Sequence, residues 1–277
     1  MIFLKQIIRG FQQQLNIISA IAAYDRNRQA AISPVGHWES VINPLQMMAF
    51  FILMRVGFSF LGNSSTFIVS RATNTYFNII IFMTTGFCIA FLFRAVAIKS
   101  LSGLKLRAPL YYSRITPLDI LLGLSLNDFR ALSTLSLVIV SIAWYFTWNF
   151  RLDSPGLAVS VYLAIIMLAL GFGLITIFLG KINKSVQRIL KRLFNRIIIF
   201  TSGIFFATFE IPAYLRSFIT WNPILHGVEL FRYSINNEYP IPGISLSYLL
   251  SCSMLTLGLS FILYKMNEST LLESDHD

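Results

Sequence analysis

The stretch Thr220–Arg232 reads T-W-N-P-I-L-H-G-V-E-L-F-R. It is too polar to cross a bilayer and too apolar to lie free in water. A short apolar run, Ile197–Phe209, precedes it and a full one, Ile244–Leu263, follows it. Such a segment suits a re-entrant hairpin, because non-helical backbone is tolerated at membrane depth only where protein or a water-filled cavity surrounds it. As a helix, Ile197–Phe209 would reach about 20 Å, short of a hydrocarbon core about 30 Å thick. Leu193 and Phe194 lengthen the run, with Arg192 and Arg196 snorkelling to the headgroups. Glu210 and Pro212 then interrupt it, Pro223 interrupts the chain again, and Pro240 and Pro242 precede the last run. Between these breaks, Ala213–Thr220 and Ile224–Ile235 read as two short helices dipping back into the external side.

The rest of the chain supports a membrane setting. Of its 277 residues, 56% are hydrophobic and only 12% charged, where a soluble domain carries roughly twice that charged share. Six apolar runs can be drawn: Leu45–Leu61, Tyr76–Phe93, Leu132–Trp148, Leu157–Leu179, Leu193–Phe209 and Ile244–Leu263. Lys and Arg alternate between the loops that join them. They are dense in the N-terminal arm (Lys5, Arg9, Arg26, Arg28), in the second loop (Lys99, Lys105, Arg107, Arg114, Arg130) and in the fourth (Lys181, Lys184, Arg188, Lys191, Arg192). The first and third loops hold only Arg71 and Arg151, and the fifth sets Arg216 and Arg232 against Glu210, Glu229 and Glu238. By the positive-inside rule the dense loops and both termini are cytoplasmic and six crossings are consistent. The same rule accounts for the net charge of +10 without nucleic acid. Cys88 and Cys252 both fall in apolar runs and read as inert buried thiols. No cleavable signal is expected, because Lys5, Gln6 and Arg9 interrupt the first apolar residues. The fold expected is all-α and integral to the membrane. It comprises a cytoplasmic arm over 1–43, spans one to five over 44–209, an external re-entrant segment over 210–243, span six over 244–264 and a tail over 265–277.

Within that frame, Phe3, Leu4, Ile7, Ile8, Phe11, Leu15 and Ile18 follow helical spacing. They form an amphipathic helix lying on the cytoplasmic surface or packed on another protein. Thr116-Pro117-Leu118-Asp119 is a helix start, with Thr116 as cap and Pro117 in the first turn. It opens either a short docking helix or the third span. Arg55 lies about 15 Å into the first span. A charge that deep is either paired or snorkelling, or it lines a wet path for an anionic solute. The aromatics Phe51, Phe58, Phe205 and Phe206 suit either lipid packing or sliding contact with sugar rings. His226 and Glu229 are spaced to share a helix face. That pair reads as a structural or gating element, a substrate contact, or an acid–base or metal pair lacking a third ligand. No G-x-x-x-x-G-K-[ST] occurs in the sequence, so no P-loop nucleotide site is expected on this chain.

Trp221-Asn222-Pro223, His226, Glu229-Leu230 and Arg232 resemble the corresponding segment of the membrane subunits of ATP-binding-cassette (ABC) exporters for capsular polysaccharide or O-antigen, the type-2 ABC exporter family. Weaker matches are Arg26-x-Arg28 with Gly36-His37-Trp38 and Asn43-Pro44, and Tyr112-x-Arg114-x-x-Pro117-Leu118-Asp119. Where the family has an acid before Pro44, this chain has Asn43.

The resemblance implies a permease that is not itself an enzyme. It would bind no cofactor, and ATP and Mg would sit on two copies of a separate ATPase. It further implies a homodimer in the bacterial inner membrane and a lipid-linked polysaccharide as cargo, which the buried charge of Arg55 suggests is acidic. Periplasmic and outer-membrane export components and membrane lipids would be further partners. Tyr112, Arg114, Pro117 and Asp119 would couple to the ATPase. Trp221, Asn222, Pro223, His226, Glu229 and Arg232 would form an external gate; from their depth and chemistry, Arg55 and the four phenylalanines would line the path. The alternative class is an integral-membrane enzyme acting on a lipid-linked sugar. The scarcity of Asp, Glu and His in the cytoplasmic loops counts against it.

Overall fold

Apolar runs bounded by prolines and capping residues fold here into helices, and among the described residues there is no strand. The structure, a computed structural model, describes residues 2–32, 42, 45–46, 48–51, 53–54, 76–77, 79–103, 115–147 and 152–266. Long helices are α1 (Ile2–Ile32), α2 (Ile79–Gly103), α3 (Pro117–Thr147), α4 (Pro155–Ile182), α5 (Lys184–Thr201) and α8 (Leu246–Met266). Two short ones, α6 (Ala213–Ile219) and α7 (Pro223–Ile235), lie between α5 and α8. In the first predicted span, residues 45–46, 48–51 and 53–54 are helical; Arg55 and Phe58 lie outside the described residues.

The centre is α2. It is apolar on every side, as a helix enclosed by others must be, and Phe82, Met83, Ile89, Ala90, Val96 and Ala97 are fully buried. It packs against α3, α4, α5 and α7. The most extensive helix pair is α4 with α8. Pro155 occupies the first turn of α4, where its missing N–H costs nothing. Gly171 lets the backbone of α8 come close: a Cβ there would meet Thr256 C at 2.7 Å and Leu257 N at 2.8 Å. Small residues serve this purpose where helices meet in lipid. Across the same seam Ser253 Oγ donates to Ala164 O at 2.8 Å. The other side of α8 leaves Met254, Leu255, Leu259, Ile262 and Met266 exposed. Pro155–Leu179 and Leu246–Met266 are long and apolar enough to cross a membrane.

Two expectations change. The predicted fifth span, Leu193–Phe209, is not one helix. Helix α5 starts at Lys184, capped by the Asn183 side chain, which accepts from Ser185 N at 2.8 Å, and ends at Thr201. The chain then turns through Gly203, at φ +77°, and makes one 3-10 turn over Thr208–Glu210. Left-handed backbone there ends the helix well before Glu210 and Pro212, the residues expected to do so.

The N-terminal helix is also longer than its amphipathic pattern suggested, and it is docked on protein, along α3. Ile21 packs on Ile120 and Leu124, Gln14 Nε2 donates to Asp119 Oδ1, and Asn127 Nδ2 donates to Asp25 Oδ2 at 3.3 Å. The helix start at Pro117 is as expected, and it opens the long α3 rather than a separate short helix. Asp119 Oδ2 accepts from Thr116 N at 2.9 Å and from its hydroxyl at 2.8 Å, while Asp119 N donates back to Thr116 Oγ1 at 3.3 Å. This reciprocal pair is an N-terminal capping box with aspartate as its acid.

Candidate functional site

The residues between α5 and α8 converge on α7, whose side chains are almost all buried. Its start is set by Trp221-Asn222-Pro223. Asn222 Oδ1 accepts from Ile224 N at 3.0 Å, satisfying one of the orphan amides of the first turn, and Pro223 fills the first helical position. The same asparagine reaches back to the end of α5, its Nδ2 donating to Thr201 O at 3.2 Å and to Thr201 Oγ1 at 3.0 Å. One side chain thus caps one helix and ties it to another.

The far end of α7 is tied to the start of α4. Ser154 N donates to Ser234 O at 2.9 Å and Asn237 N donates to Asp153 Oδ2 at 3.1 Å.

Arg232 is the hub. Its side chain has no exposure. Nη1 donates to Glu229 Oε1 at 2.9 Å and to Gly203 O at 2.8 Å, with Phe206 O at 3.4 Å. Nη2 donates to Ile204 O at 3.2 Å and to Phe82 O at 3.1 Å, and Nε donates to Thr85 Oγ1 at 3.4 Å. The guanidinium lies 3.6 Å over the Phe82 ring, within the range of a cation–π contact. The planar fork therefore joins α7, the non-helical segment after α5, and α2. Five donors on a rigid plane can do this, and an ammonium could not.

Glu229 supplies the neutralising charge and is fully buried. Burial pushes its carboxyl up, and the Arg232 charge works against that. The Tyr239 and Thr208 hydroxyls flank it, and Glu229 Oε2, Tyr239 OH and Thr208 Oγ1 make no hydrogen bond of good geometry.

His226 and Glu229 do not pair. The imidazole bridges backbone groups, with Nε2 at 2.6 Å from Thr220 O and Nδ1 accepting from Ser245 N at 3.0 Å. Tyr248 of α8 covers the ring at 4.6 Å between centroids, and its hydroxyl donates to Trp221 O at 2.7 Å. Burial pushes the His226 pKa down, against the pull of the Thr220 carbonyl. Among the described residues no three His, Cys, Asp or Glu side chains gather as metal ligands.

The two short helices differ in burial. α6 has no buried residue, and Tyr214, Phe218 and Trp221 are each at least 70% exposed. Of the path aromatics, Phe51 and Phe205 meet at 4.8 Å between centroids, and Phe87 joins both; Phe206 is half-buried. Tyr112 and Arg114 lie outside the described residues. Asp119 is turned inward, its carboxylate held by Thr116 and Gln14. Sequence reasoning missed Phe82, Thr85, Gly203 and Ile204, which lie 28 to 150 positions from Arg232. No local pattern marks them.

Among the described residues, the arrangement is built from side chains that hold backbone groups at helix ends. It is a buried polar clasp between helix ends, suited to holding a conformation. Residues 18–236 match the family model described as ABC-2 type transporter. The chain is 27% identical over 195 residues to the polysialic acid transport protein KpsM of Escherichia coli, covering 70% of this chain and 75% of that one. It is 24% identical over 235 residues to the capsule polysaccharide export inner-membrane protein BexB of Haemophilus influenzae, covering 83% of each. With the family model matched over most of its length, the chain belongs to the ABC-2 type transporter family.

Proposed function

We propose that this chain is the permease subunit of an ATP-driven exporter that carries a capsular polysaccharide outward across the bacterial inner membrane. The observation that carries this reading is the likeness to a polysialic acid transporter and a capsule polysaccharide exporter over at least 70% of the chain. Supporting it are the spanning helices and the absence of a P-loop from the sequence. A separate ATPase then supplies the energy. The chain works as a homodimer, since one copy has too few helices to enclose a polymer, and both its termini are cytoplasmic.

The segment around α7 is the external gate. Trp221, Asn222, Pro223, His226, Glu229 and Arg232 hold α7 against α2 and the start of α8. Phe51, Phe58, Phe205, Phe206 and Arg55 line the path, where an arginine collar from two copies would favour acidic sugars or phosphates. Tyr112, Arg114, Pro117 and Asp119 form the region where the ATPase acts. Closure of the ATPase there widens the path by shifting helices as units.

Deletion of the gene in an encapsulated host tests the reading. Polymer should accumulate inside the cell, and the tagged protein should co-purify with an ATPase that has no spans of its own. An unchanged capsule in the deletion strain would overturn it.

A further inference from the structure

His226 has two backbone partners that decide its protonation. A carbonyl oxygen only accepts, so Nε2, at 2.6 Å from Thr220 O, carries the proton. A backbone amide only donates, so Nδ1, at 3.0 Å from Ser245 N, offers its lone pair. The ring is therefore neutral in this conformation. A second proton would go on Nδ1 and set donor against donor. Ser245 stands just ahead of α8: its carbonyl accepts from Leu249 N and its hydroxyl accepts from Tyr248 N, both at 3.4 Å. Losing its own acceptor loosens that start.

We infer that His226 is a proton-released staple: the neutral imidazole clips the Thr220 turn and α7 to the beginning of α8, and acidification breaks the clip. His226 is 3% exposed. Tyr248 of α8 covers the ring; of the helices packed on α7, α8 also carries Cys252, α2 carries Cys88 and Arg94, and α4 carries Tyr162. The 3-10 turn after α5 carries Glu210 and α6 carries Arg216, and within α7 Glu229 is committed to Arg232. None of these charges sets the proton affinity of the imidazole, which follows from burial and the two backbone partners. Burial places the folded pKa below the ordinary 6.5. The unfolded chain therefore takes up the proton first. The stabilisation is complete above pH 6.5 and is lost as pH falls through the folded value. The significance for export rests on the gate reading above. On that reading the staple faces outward, where proton concentration follows the medium.

The test is hydrogen exchange, read by mass spectrometry on the full chain with its ATPase in nanodiscs from pH 8 to pH 5, corrected for intrinsic chemistry. Peptides covering 220–250 should exchange about tenfold faster at the acid end, as expected for loss of one hydrogen bond of ordinary strength. Peptides from α4 should not change. His226→Gln offers an amide oxygen and an amide N–H without titrating and should flatten the profile. If the variant does not assemble, the wild-type profile alone decides. A wild-type profile flat across this range, or an identical acid response in His226→Gln, would overturn the staple. Acid opening that leaves export unchanged would keep the staple and refute the gate reading instead.

Discussion

Replacing Arg232 by Met is the sharpest perturbation of the clasp, because each consequence can be assigned to a contact. Glu229 loses its partner at 2.9 Å inside a site with no exposure. Removing one member of a buried pair costs about 3–5 kcal/mol. The carbonyls of Gly203, Ile204 and Phe206 lose a donor, each worth about 1 kcal/mol net. Phe82 O is spared, because Thr85 Oγ1 also donates to it at 2.9 Å. The total, about 6–8 kcal/mol from these two terms, rivals the whole stability of an ordinary domain. Arg232→Met alone should therefore fail to survive detergent extraction as a folded species. Adding Glu229→Leu removes the stranded carboxylate and should return about 3–5 kcal/mol. The double variant is thus expected to be more stable than the single. Size-exclusion profiles after heating, with SDS titration for the free energies, read this directly. A single variant as stable as wild type, or a double variant no better than the single, would refute the reasoning.

Gly203→Ala should destabilise by about 1–2 kcal/mol from the left-handed backbone. A further about 1–3 kcal/mol follows from overlap, since the new Cβ would sit 2.5 Å from Leu225 Cδ1; the same SDS titration measures it. Asn237→Cys, with Cys88→Ala and Cys252→Ala as background, should react with an impermeant thiol reagent added outside the cell, and labelling only from the cytoplasm would overturn the proposed topology. Arg55→Leu should leave assembly with the ATPase intact but sharply reduce export, with Arg55→Lys keeping part of it; normal export by the Leu variant would remove Arg55 from the path.

Much of this architecture can be read without coordinates wherever the cause is local. The Thr116–Asp119 start of α3 and the break at Pro223 before α7 follow from short spacings, whereas the partner expected for Glu229, His226, is not the one it takes, which is Arg232. The two helices between α5 and α8 fall almost where prolines and apolar runs place them. The end of α5 was not legible. In I-I-I-F-T-S-G-I-F-F the apolar pattern continues through the break. The cause is a glycine at positive φ whose carbonyl is held by an arginine 29 residues further on. The same holds for the seat of Arg232 on α2, since contacts across 147 and 150 positions leave no periodicity to detect. The docking of α1 along α3 was also hidden, because an amphipathic stripe looks alike whether it faces lipid or protein.

Past its first turn, the aliphatic hydroxyls of α8 fold back on their own helix. Thr256 donates to Cys252 O at 2.8 Å and Ser260 to Leu257 O at 2.7 Å. Even Ser253, which reaches across to α4, has Leu249 O at 2.7 Å. Across the α4 seam itself, sliding α8 would therefore leave the Ser253 hydroxyl with a partner on its own helix. Its register comes from shape, from a backbone seated in the notch at Gly171. A joint of that kind is indifferent to pH and ionic strength. It yields to lateral pressure and bilayer thickness, so lipid composition is the variable that should tune the α4–α8 seam, while protons tune the seat of α7.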